Sequence, residues 1–324
     1  MDPFWPRRSP HFLACRRAVR PFAGSGPVVI GLSGGPDSLA LVAAAAAEGI
    51  DATAVVVDHG LQPGSAGVAK NASEQATRFG IPATVVPVTV ADSPDGVEAA
   101  AREARYAALF AAAPADVWVA HTADDQAETL LLGALRGNPA GMPPRDGRLV
   151  RPFLTIRRAD TVGACTELGI KPWHDPMNKD TAYRRPAIRT TIIPQLSELI
   201  GGDAVPALAA AADRIAADNQ LIADLVDLTP TSSCAELLAE PGAVRRRRLA
   251  AWLVENDVPV QRDQLAAIES LITDWHGQGP INVAGGAVAR RAGVLVMEPS
   301  GVSARLNGHG NDDATPAGDP QPHR

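Results

Sequence analysis

The fold is decided by the stretch Val28-Val29-Ile30-Gly31-Leu32-Ser33-Gly34-Gly35-Pro36-Asp37-Ser38. Its aliphatic first half, 28–32, is typical of a strand buried on both faces of a parallel sheet. The Ala-rich apolar run 39–48 that follows predicts a helix. Between them, Gly34 and Gly35 allow backbone angles that other residues resist, so successive N–H groups can face one concavity. We expect Ser38 to cap the helix, whose N-terminus adds partial positive charge. A loop of this kind suits a phosphate group.

The loop differs from the common nucleotide-binding loop. It has no lysine and does not fit G-x-x-x-x-G-K-[ST]. It carries Asp37, which would repel a phosphate unless a cation such as Mg²⁺ lay between them. The hydroxyls of Ser33 and Ser38 can donate to phosphate oxygens. An ordinary glycine-rich turn is the alternative, and six specified residues directly after a strand disfavour it.

The composition narrows the classes of protein. The 324 residues are enough for two domains. The three cysteines are far apart in sequence and form no C-x-x-C pair, so a disulfide framework, a zinc site and an iron–sulfur site are not indicated. The first residues lack the apolar segment of a signal peptide, and no run is long enough to span a membrane. We therefore expect a cytoplasmic protein.

The net charge of −6 by itself argues against nucleic acid as a partner. Between Arg145 and Arg189, however, ten Lys or Arg stand against five Asp or Glu, a local charge of +5. Such a segment can bind RNA, although an exposed, solvated face has the same composition. Further arginines cluster at 245–248 and 290–291, and there we favour contact with RNA phosphates over a solvated face.

Strands and helices alternate along the first two hundred residues. Strands are predicted at 53–58, 83–88 and 116–120, a strand-like run at 149–154, and helices at 67–80, 96–112 and 157–168. This alternation indicates an α/β fold with a doubly wound, mostly parallel sheet. Patterns further on predict helices at 203–228, 244–255 and 262–273 and strands at 280–283 and 294–297. The predicted organisation is a catalytic domain 1–200, a helical linker 201–231, a smaller α+β domain 232–299 and a disordered tail 300–324.

Polar residues follow two of these strands, at the edge where open α/β sheets bind ligands. Asp58 ends one strand, and His121 ends another. Thr122 or Asp124 should then cap a helix, with Asp125 and Glu128 as neighbours one turn apart. A histidine above clustered carboxylates can move a proton or position a cation, whereas acids at a helix N-terminus can simply satisfy its dipole. We favour the chemical role, because this motif and the phosphate loop should emerge on one sheet edge.

Two arginine pairs are candidate substrate contacts. Arg102 and Arg105 lie on the predicted helix 96–112 beside Tyr106, and Arg102 can instead form a surface ion pair with Glu98. Arg185 and Arg189 are four residues apart, although Pro186 predicts a helix start between them. Paired guanidinium groups suit phosphates and base edges, or they can pair with Asp175 or Asp180.

Taken in order, the motifs resemble those of the tRNA(Ile)-lysidine synthase family within the ATP pyrophosphatases. The matching blocks are 33–38, 57–61, 98–106, 121–129 and 175–189, and the region 232–299 is similar to the family's shorter C-terminal module. Three features depart from the family pattern: Gln62 replaces the usual Arg, Pro186 replaces the usual Asn, and the loop 138–144 is a few residues short. These departures concern anticodon contact rather than ATP chemistry.

The resemblance implies that the protein uses ATP to join free L-lysine to C2 of cytidine 34 in the CAU anticodon of tRNA(Ile). An adenylated cytidine would be the intermediate, and AMP and pyrophosphate would be released. ATP and Mg²⁺ would be required, and the sequence does not decide between a monomer and a homodimer. By resemblance, the ATP-binding residues are Ser33, Gly34, Gly35, Pro36, Asp37, Ser38, Val57 and Asp58, with Asp37 as the metal ligand; the catalytic residues are Asp37, Arg105, His121, Asp125 and Glu128; and the substrate-binding residues are Arg102, Arg136, Arg185 and Arg189.

Three other functions are compatible with parts of the sequence. A related tRNA thiolase would need reactive cysteines or C-x-x-C pairs, which this chain lacks. An amide-forming ATP pyrophosphatase would lack the late arginine block and the basic appended module. A nucleotide-sensing or RNA-binding protein on an inactive pyrophosphatase fold would release no pyrophosphate in response to tRNA and lysine.

Overall fold

A computed structural model describes residues 5–6, 8–24, 26–60, 64–90, 96–175 and 183–299, apart from the side chain of Glu98. Within the sequence motifs, Gln62, Asn178 and Asp180 lie outside the described residues, as does the tail from Ser300. The chain divides between Asp224 and Leu225 into two compact units. The division into four segments inferred from the sequence remains a prediction.

The first unit is built on one six-stranded sheet. Its strand order is β3-β2-β1-β4-β6-β5, and every neighbouring pair is parallel except β5 with β6. The doubly wound, mostly parallel sheet predicted from the sequence is therefore confirmed. Its elements are α1 (Pro10–Val19), β1 (Val28–Gly31), α2 (Pro36–Ala47), β2 (Ala52–Asp58), α3 (Ser65–Arg78), β3 (Ala83–Pro87), α4 (Val97–Ala112), β4 (Asp116–Trp118), α5 (Ala123–Leu135), β5 (Arg145–Asp146), β6 (Leu149–Val150), α6 (Arg158–Glu167), α7 (Arg184–Ala187), α8 (Ile193–Ile200) and α9 (Ala204–Leu225).

Strand β1 is buried on both faces, which explains its unbroken aliphatic sequence. Val28 and Ile30 pack into one apolar cluster with α1, α2, α3 and α6, whereas Val29 points to the other face and packs with Leu109 of α4. The alanines of α2 allow it to approach its neighbours closely, and residues 39–45 are all buried. The core therefore holds β1 and the start of α2 in fixed positions, and these segments carry the loop 33–38.

The strand-like run 149–154 is shorter than predicted, because only Leu149–Val150 is a strand. After it the backbone turns twice, with the N–H of Leu154 donating to the carbonyl of Arg151 and that of Ile156 donating to Phe153. These turns bring the chain directly to α6. Its first residue, Arg158, thereby starts at the carboxyl edge of the sheet.

The second unit packs three helices against an antiparallel sheet with the order β7-β8-β9. The sequence predicted two strands, and the structure has a third between them. This strand was not predicted, because Ala287–Ala289 are small apolar residues whose pattern does not mark a strand. Its core includes Leu249, Leu271 and Val288. The elements are α10 (Cys234–Ala239), α11 (Gly242–Glu255), α12 (Arg262–Thr273), β7 (Ile281–Val283), β8 (Gly286–Arg291) and β9 (Val294–Pro299).

Helix α9, predicted as 203–228, is confirmed as Ala204–Leu225. Its first turns pack into the first unit, where Val205 and Ala209 contact Ile188 and Ile193. Of the helices that the structure describes, none combines the length and the apolar character needed to cross a bilayer.

Candidate active site

The loop 33–38 joins β1 to α2 and has one residue that requires glycine. Gly34 has φ +81°, in the left-handed region, and a Cβ there would lie 3.3 Å from the Cβ of Ala72. Gly35 has φ −75°, which any residue adopts. The expectation that both glycines adopt special angles is therefore right for Gly34 and wrong for Gly35. A Cβ on Gly35 would instead lie beside the hydroxyl of Ser33, at 3.5 Å.

Ser38 does not cap α2, contrary to the prediction. The helix begins at Pro36, with Gly35 as the N-cap residue, because the fixed φ of proline suits the first helical position. Ser38 lies in the first turn, where its hydroxyl donates to the carbonyl of Gly35 and accepts from the N–H of Ser33. Its oxygen is 3.1 Å from that of Ser33. The two serines thus hold the loop closed on itself, with Ser33 exposed and Ser38 buried.

Asp37 lies in the first turn of α2 and is held by two donors from α6. Thr161 donates a hydrogen bond to its Oδ1, and Nε of Arg158 lies 3.5 Å from its Oδ2. Burial raises the pKa of Asp37, and the charge of Arg158 and the hydrogen bond from Thr161 oppose that rise. The carboxylate is therefore fixed in orientation at the base of the phosphate loop.

The N-cap residue of α5 is Thr122 and not Asp124, the other candidate from the sequence. Its hydroxyl accepts from the N–H of Asp125, and its own N–H donates to the Asp125 carboxylate at 2.8 Å, which forms a capping box. Burial tends to raise the pKa of Asp125, but the charges of Arg158 and His121 and the bonds from Thr122 bring it below its ordinary value. Asp125 is thus a fixed, ionised group.

His121 directly precedes this cap, at the carboxyl end of β4. Burial lowers its pKa to about 4; Asp125 opposes this, whereas the charges of Arg151, Arg102 and Arg185 add to it. Its Nδ1 is buried and has no hydrogen-bond partner among the described residues. The imidazole is therefore neutral at physiological pH, and one of its ring nitrogens is buried without a hydrogen bond from the described residues.

Arg158 connects the two motifs, and the sequence analysis did not single it out. Its Nη2 lies 2.7 Å from Oδ1 of Asp125, and its Nη1 lies 3.0 Å from Oε1 of Glu128. With the contact to Asp37, one guanidinium reaches carboxylates from both the phosphate loop and α5. The convergence of these two motifs on one edge of the sheet, expected from the sequence, is confirmed.

Glu128 is fully buried, and it also binds the two late arginines. Nε and Nη2 of Arg189 donate to its two oxygens at 2.7 and 3.1 Å, and Nη1 of Arg185 lies at 3.7 Å. Helix α7 begins at Arg184, before Pro186, so the predicted helix start between the two arginines is wrong. Pro186 fits in the first turn, where its missing N–H costs no helical bond. Arg189 lies in the π-helical turn that follows, Ile188–Ile192, and both side chains reach Glu128.

One of the two arginines of α4 lies beside His59, which follows the last residue of β2. The guanidinium of Arg102 lies over the ring of Tyr106 at 4.9 Å, and Nε of Arg105 is 3.5 Å from Nε2 of His59. Burial and the charge of Arg105 lower the pKa of His59. Arg136 is exposed where α5 ends, two helical turns beyond Glu128. The structure therefore brings Arg102 and Arg105 towards the strand ends and leaves Arg136 apart from Asp125 and Glu128.

The end of β2 offers backbone groups to a ligand. β1 pairs with β2 only as far as Gly31 with Val55, whereas β2 continues through Val57 to Asp58 and pairs with β3 on its other side. Asp58 accepts from the N–H of Gly60, which lowers its pKa. On the other side of the phosphate loop, a cavity of about 410 Å³ is bounded by Gly34, by the first turns of α3 and by residues 171–173. Both positions adjoin the loop, so each can hold part of a nucleotide.

Much of the local positive charge is paired within the protein. Arg145 pairs with Asp116, Arg157 with Asp124 and Asp203, and Arg158 and Arg189 pair as described above. In the second unit, Arg245 pairs with Glu269, and the buried Arg248 pairs with Glu236 and Glu240. The interpretation of 245–248 as four phosphate contacts is therefore too broad. Arg246, half exposed and 3.5 Å from Glu269, is better placed to reach RNA.

A mostly parallel sheet with a lysine-free phosphate loop, and with an aspartate of that loop linked through Arg158 to two carboxylates of α5, defines a PP-loop protein of the ATP pyrophosphatase class. A family model described as a PP-loop domain matches residues 13–196, and another, described as the TilS substrate binding domain, matches residues 233–296. The chain belongs to the tRNA(Ile)-lysidine synthase family.

Relatives support that assignment over most of the chain. A protein of Corynebacterium glutamicum named tRNA(Ile)-lysidine synthase is 51% identical over 86% of this chain and 90% of its own length. A protein of Corynebacterium diphtheriae with the same name is 52% identical, over 91% of this chain and 99% of its own. Among solved structures, the U34-tRNA thiolase NcsA from Methanococcus maripaludis has a TM-score of 0.50 and 15% identity, and covers 67% of this chain and 81% of that one. That likeness shows the fold alone.

The cysteines argue against sulfur transfer. Burial raises the pKa of Cys15 and of Cys165 to about 12, and it also raises the pKa of Cys234. All three are buried and free. Because the thiolate is the reactive form and all three thiols are buried, nothing in the described structure favours the thiolase alternative.

Proposed function

We propose that this protein joins L-lysine to C2 of cytidine 34 in the CAU anticodon of tRNA(Ile) at the expense of ATP. The observation that carries the proposal is the convergence of Asp37, Asp125 and Glu128 on Arg158 at one sheet edge, in a chain of the lysidine synthase family. This places a phosphate-binding loop next to a group of ionised residues that can face an RNA base. ATP is the nucleotide expected of a PP-loop domain.

In the first step, the C2 oxygen of cytidine attacks the α-phosphorus of ATP. The bond from the α-phosphorus to the oxygen that bridges to the β-phosphate breaks. The backbone of the loop and the hydroxyls of Ser33 and Ser38 stabilise the pyrophosphate that leaves. The free backbone edge at Val57 and Asp58 holds the adenosine. Gly34–Pro36 complete the concavity, in which close approach of the phosphates depends on Gly35 having no side chain.

In the second step, the ε-amino group of lysine attacks C2, and the bond from C2 to the adenylate oxygen breaks, so that AMP leaves. The amine must be neutral to attack, and Asp125 is a fixed carboxylate that can orient it or accept its proton. Neutral His121 accepts a hydrogen bond from the base, and Arg105 faces the activated cytidine. Arg102, Arg185 and Arg189 contact the tRNA, and Arg136 extends that contact from the end of α5.

Asp37 is the residue that would hold Mg²⁺. In the part of the chain that the structure describes, no three His, Cys, Asp or Glu side chains are grouped to hold a metal ion. The single carboxylate of Asp37 suits Mg²⁺, because this ion commonly takes one or two carboxylates and completes its shell with phosphate and water oxygens. When bound, the ion supplies positive charge against the phosphates of ATP.

Incubation with ATP, radiolabelled lysine and transcripts of the two CAU-bearing tRNAs, isoleucine and methionine, tests the proposal. Lysine should enter the isoleucine transcript alone, with pyrophosphate released only when that transcript is present. Entry into neither transcript would refute the proposal.

The proposal includes a homodimer as the alternative to a monomer, and light scattering distinguishes the two. The cytoplasm is the expected compartment for a tRNA-modifying enzyme.

A further inference from the structure

Arg158 is held at the centre of the site by its own backbone as well as by its side chain. Its N–H donates to Oδ2 of Asp124 at 2.7 Å, which fixes the start of α6 against α5. Its side chain is only 19% exposed and reaches three carboxylates, although it carries one positive charge. The contacts to Asp125 and Glu128, at 2.7 and 3.0 Å, are good hydrogen bonds, whereas the 3.5 Å contact to Asp37 is at the limit. Asp37 is therefore the partner that Arg158 can most easily lose.

Three guanidinium groups lie within 3.7 Å of the Glu128 carboxylate. Its Oε1 accepts from Nη1 of Arg158 at 3.0 Å and from Nε of Arg189 at 2.7 Å. Its Oε2 accepts from Nη2 of Arg189 at 3.1 Å and lies 3.7 Å from Arg185. Because Arg158, Arg185 and Arg189 share the single negative charge of Glu128, a stronger interaction with Arg158 weakens the attraction of Glu128 for Arg189 and Arg185. The state of Asp37 is thus linked to the late arginines through a single side chain.

We propose that Arg158 is a positioning residue that couples nucleotide binding to RNA binding, an inference that rests on the proposed function. When Asp37 engages a metal-bound nucleotide, it gives up its contact with Arg158. The charge of Arg158 then acts on Asp125 and Glu128 alone, and Glu128 binds Arg185 and Arg189 less tightly. Their guanidinium groups become available to RNA phosphates. Nucleotide binding therefore raises the affinity for RNA, and RNA raises the affinity for nucleotide by the same factor.

The test measures RNA affinity rather than turnover. Fluorescence anisotropy gives the Kd of the isoleucine tRNA transcript with Mg²⁺, in the presence and absence of α,β-methylene ATP and without lysine. For the wild-type protein we expect the analogue to tighten binding about tenfold, within the usual range of coupling between sites. In Arg158→Met the coupling should fall to less than about twofold, because Asp37 and Glu128 no longer share a partner.

Two further variants make the result specific. Arg158→Lys keeps the charge, but a compact ammonium group cannot bridge three carboxylates, so its coupling should also be lost. Arg157→Met is the matched control, since Arg157 pairs with Asp124 and Asp203 and touches none of the three carboxylates. It should retain the full coupling. Circular dichroism establishes whether each variant is folded. If Arg158→Met does not fold, Arg158→Lys alone provides the test.

The absence of coupling in the wild-type protein, or full coupling in folded Arg158→Lys, would overturn the inference. Either result can occur in a protein that still incorporates lysine, so it leaves the proposed function standing. Failure of the wild-type protein to incorporate lysine would instead remove the proposed function.

Discussion

The hydroxyl of Thr161 donates a hydrogen bond to Oδ1 of Asp37, and the two residues are 124 positions apart in sequence. Thr161 is fully buried in α6, whereas Asp37 lies in the first turn of α2, within the phosphate loop. The contact fixes one oxygen of the carboxylate and leaves the other beside Arg158. The orientation of the expected metal ligand thus depends on a helix that contributes nothing to the loop itself.

We expect Thr161→Val to slow pyrophosphate release about tenfold, because a hydrogen bond to a charged group contributes about 1.5–3 kcal/mol. The substitution conserves shape and removes only the donor. Initial rates of pyrophosphate release, with saturating tRNA and lysine, measure the effect. Thr166→Val is the control, since the hydroxyl of Thr166 donates to the carbonyl of Val162 on the same helix. A rate in Thr161→Val within twofold of the wild type would contradict the positioning role.

The two loop glycines should respond differently to alanine. Gly34→Ala places a side chain at φ +81° and against Ala72, so it should cost about 1–2 kcal/mol of folding free energy. For a unit of this size, that lowers Tm by roughly 3–6 °C. Gly35→Ala is at an ordinary φ and should leave Tm unchanged. Its methyl group enters the phosphate concavity, so the KM for ATP should rise. Thermal unfolding and initial rates on both variants check this, and equal Tm losses would contradict it.

The contrast between strands and ion pairs shows what the sequence could predict. The strands β1 and β2 were found because buried aliphatic runs have a local signature. Arg158 has none, since its partners at 37, 125 and 128 come from other elements, and the adjacent Arg157 is the same residue type with different partners. That distinction depends on tertiary structure.

Two of the wrong predictions concern prolines, and the helix preferences of proline indicate the observed arrangement in both cases. Pro36 favours the first position of a helix, which moves the cap from Ser38 to Gly35. Pro186 is tolerated throughout the first helical turn, so it did not separate Arg185 from Arg189. The resemblance of the motifs predicted which residues form the site, whereas the contacts among them came only from the structure.

Arg185 and Arg189 are both proposed to contact RNA, but they should contribute differently to stability. Arg189 makes two short bonds to buried Glu128, so Arg189→Gln should cost about 2 kcal/mol of stability, part of the penalty for breaking a buried pair. Arg185 is 39% exposed and 3.7 Å from that carboxylate, so Arg185→Gln should barely change Tm. It should instead weaken tRNA binding.

The salt dependence of binding tests this assignment. If Arg185 contacts one phosphate of a single-stranded anticodon loop, its removal should reduce the slope of log K against log salt by about 0.7. Anisotropy titrations between low and physiological salt measure the slope. Exposed Arg136→Gln is compared in parallel, since Arg136 lies two turns beyond Glu128. Loss of stability in Arg185→Gln, with an unchanged slope, would assign Arg185 to the fold rather than to RNA.

The low pKa of His121 should make the protein less stable in mild acid. Its pKa is about 4 in the folded protein and 6.5 in the unfolded chain, so the unfolded chain binds more protons between these values. Stability is therefore lost as the pH falls from 6.5 towards 4, and from pH 7 to pH 5 the loss is about 2 kcal/mol. Urea unfolding at both pH values measures it. In His121→Asn this contribution disappears, so the variant should lose less stability than the wild type on acidification.

His11 supplies a control of opposite sign. Its hydrogen bond to Asp160 raises its pKa, so its contribution is present below pH 6.5 and is lost as the pH rises through the folded value. His11→Asn should therefore lose more stability than the wild type on acidification, and His121→Asn less. A shift in the same direction for both variants would show that the neutrality of His121 is not what the folded site imposes.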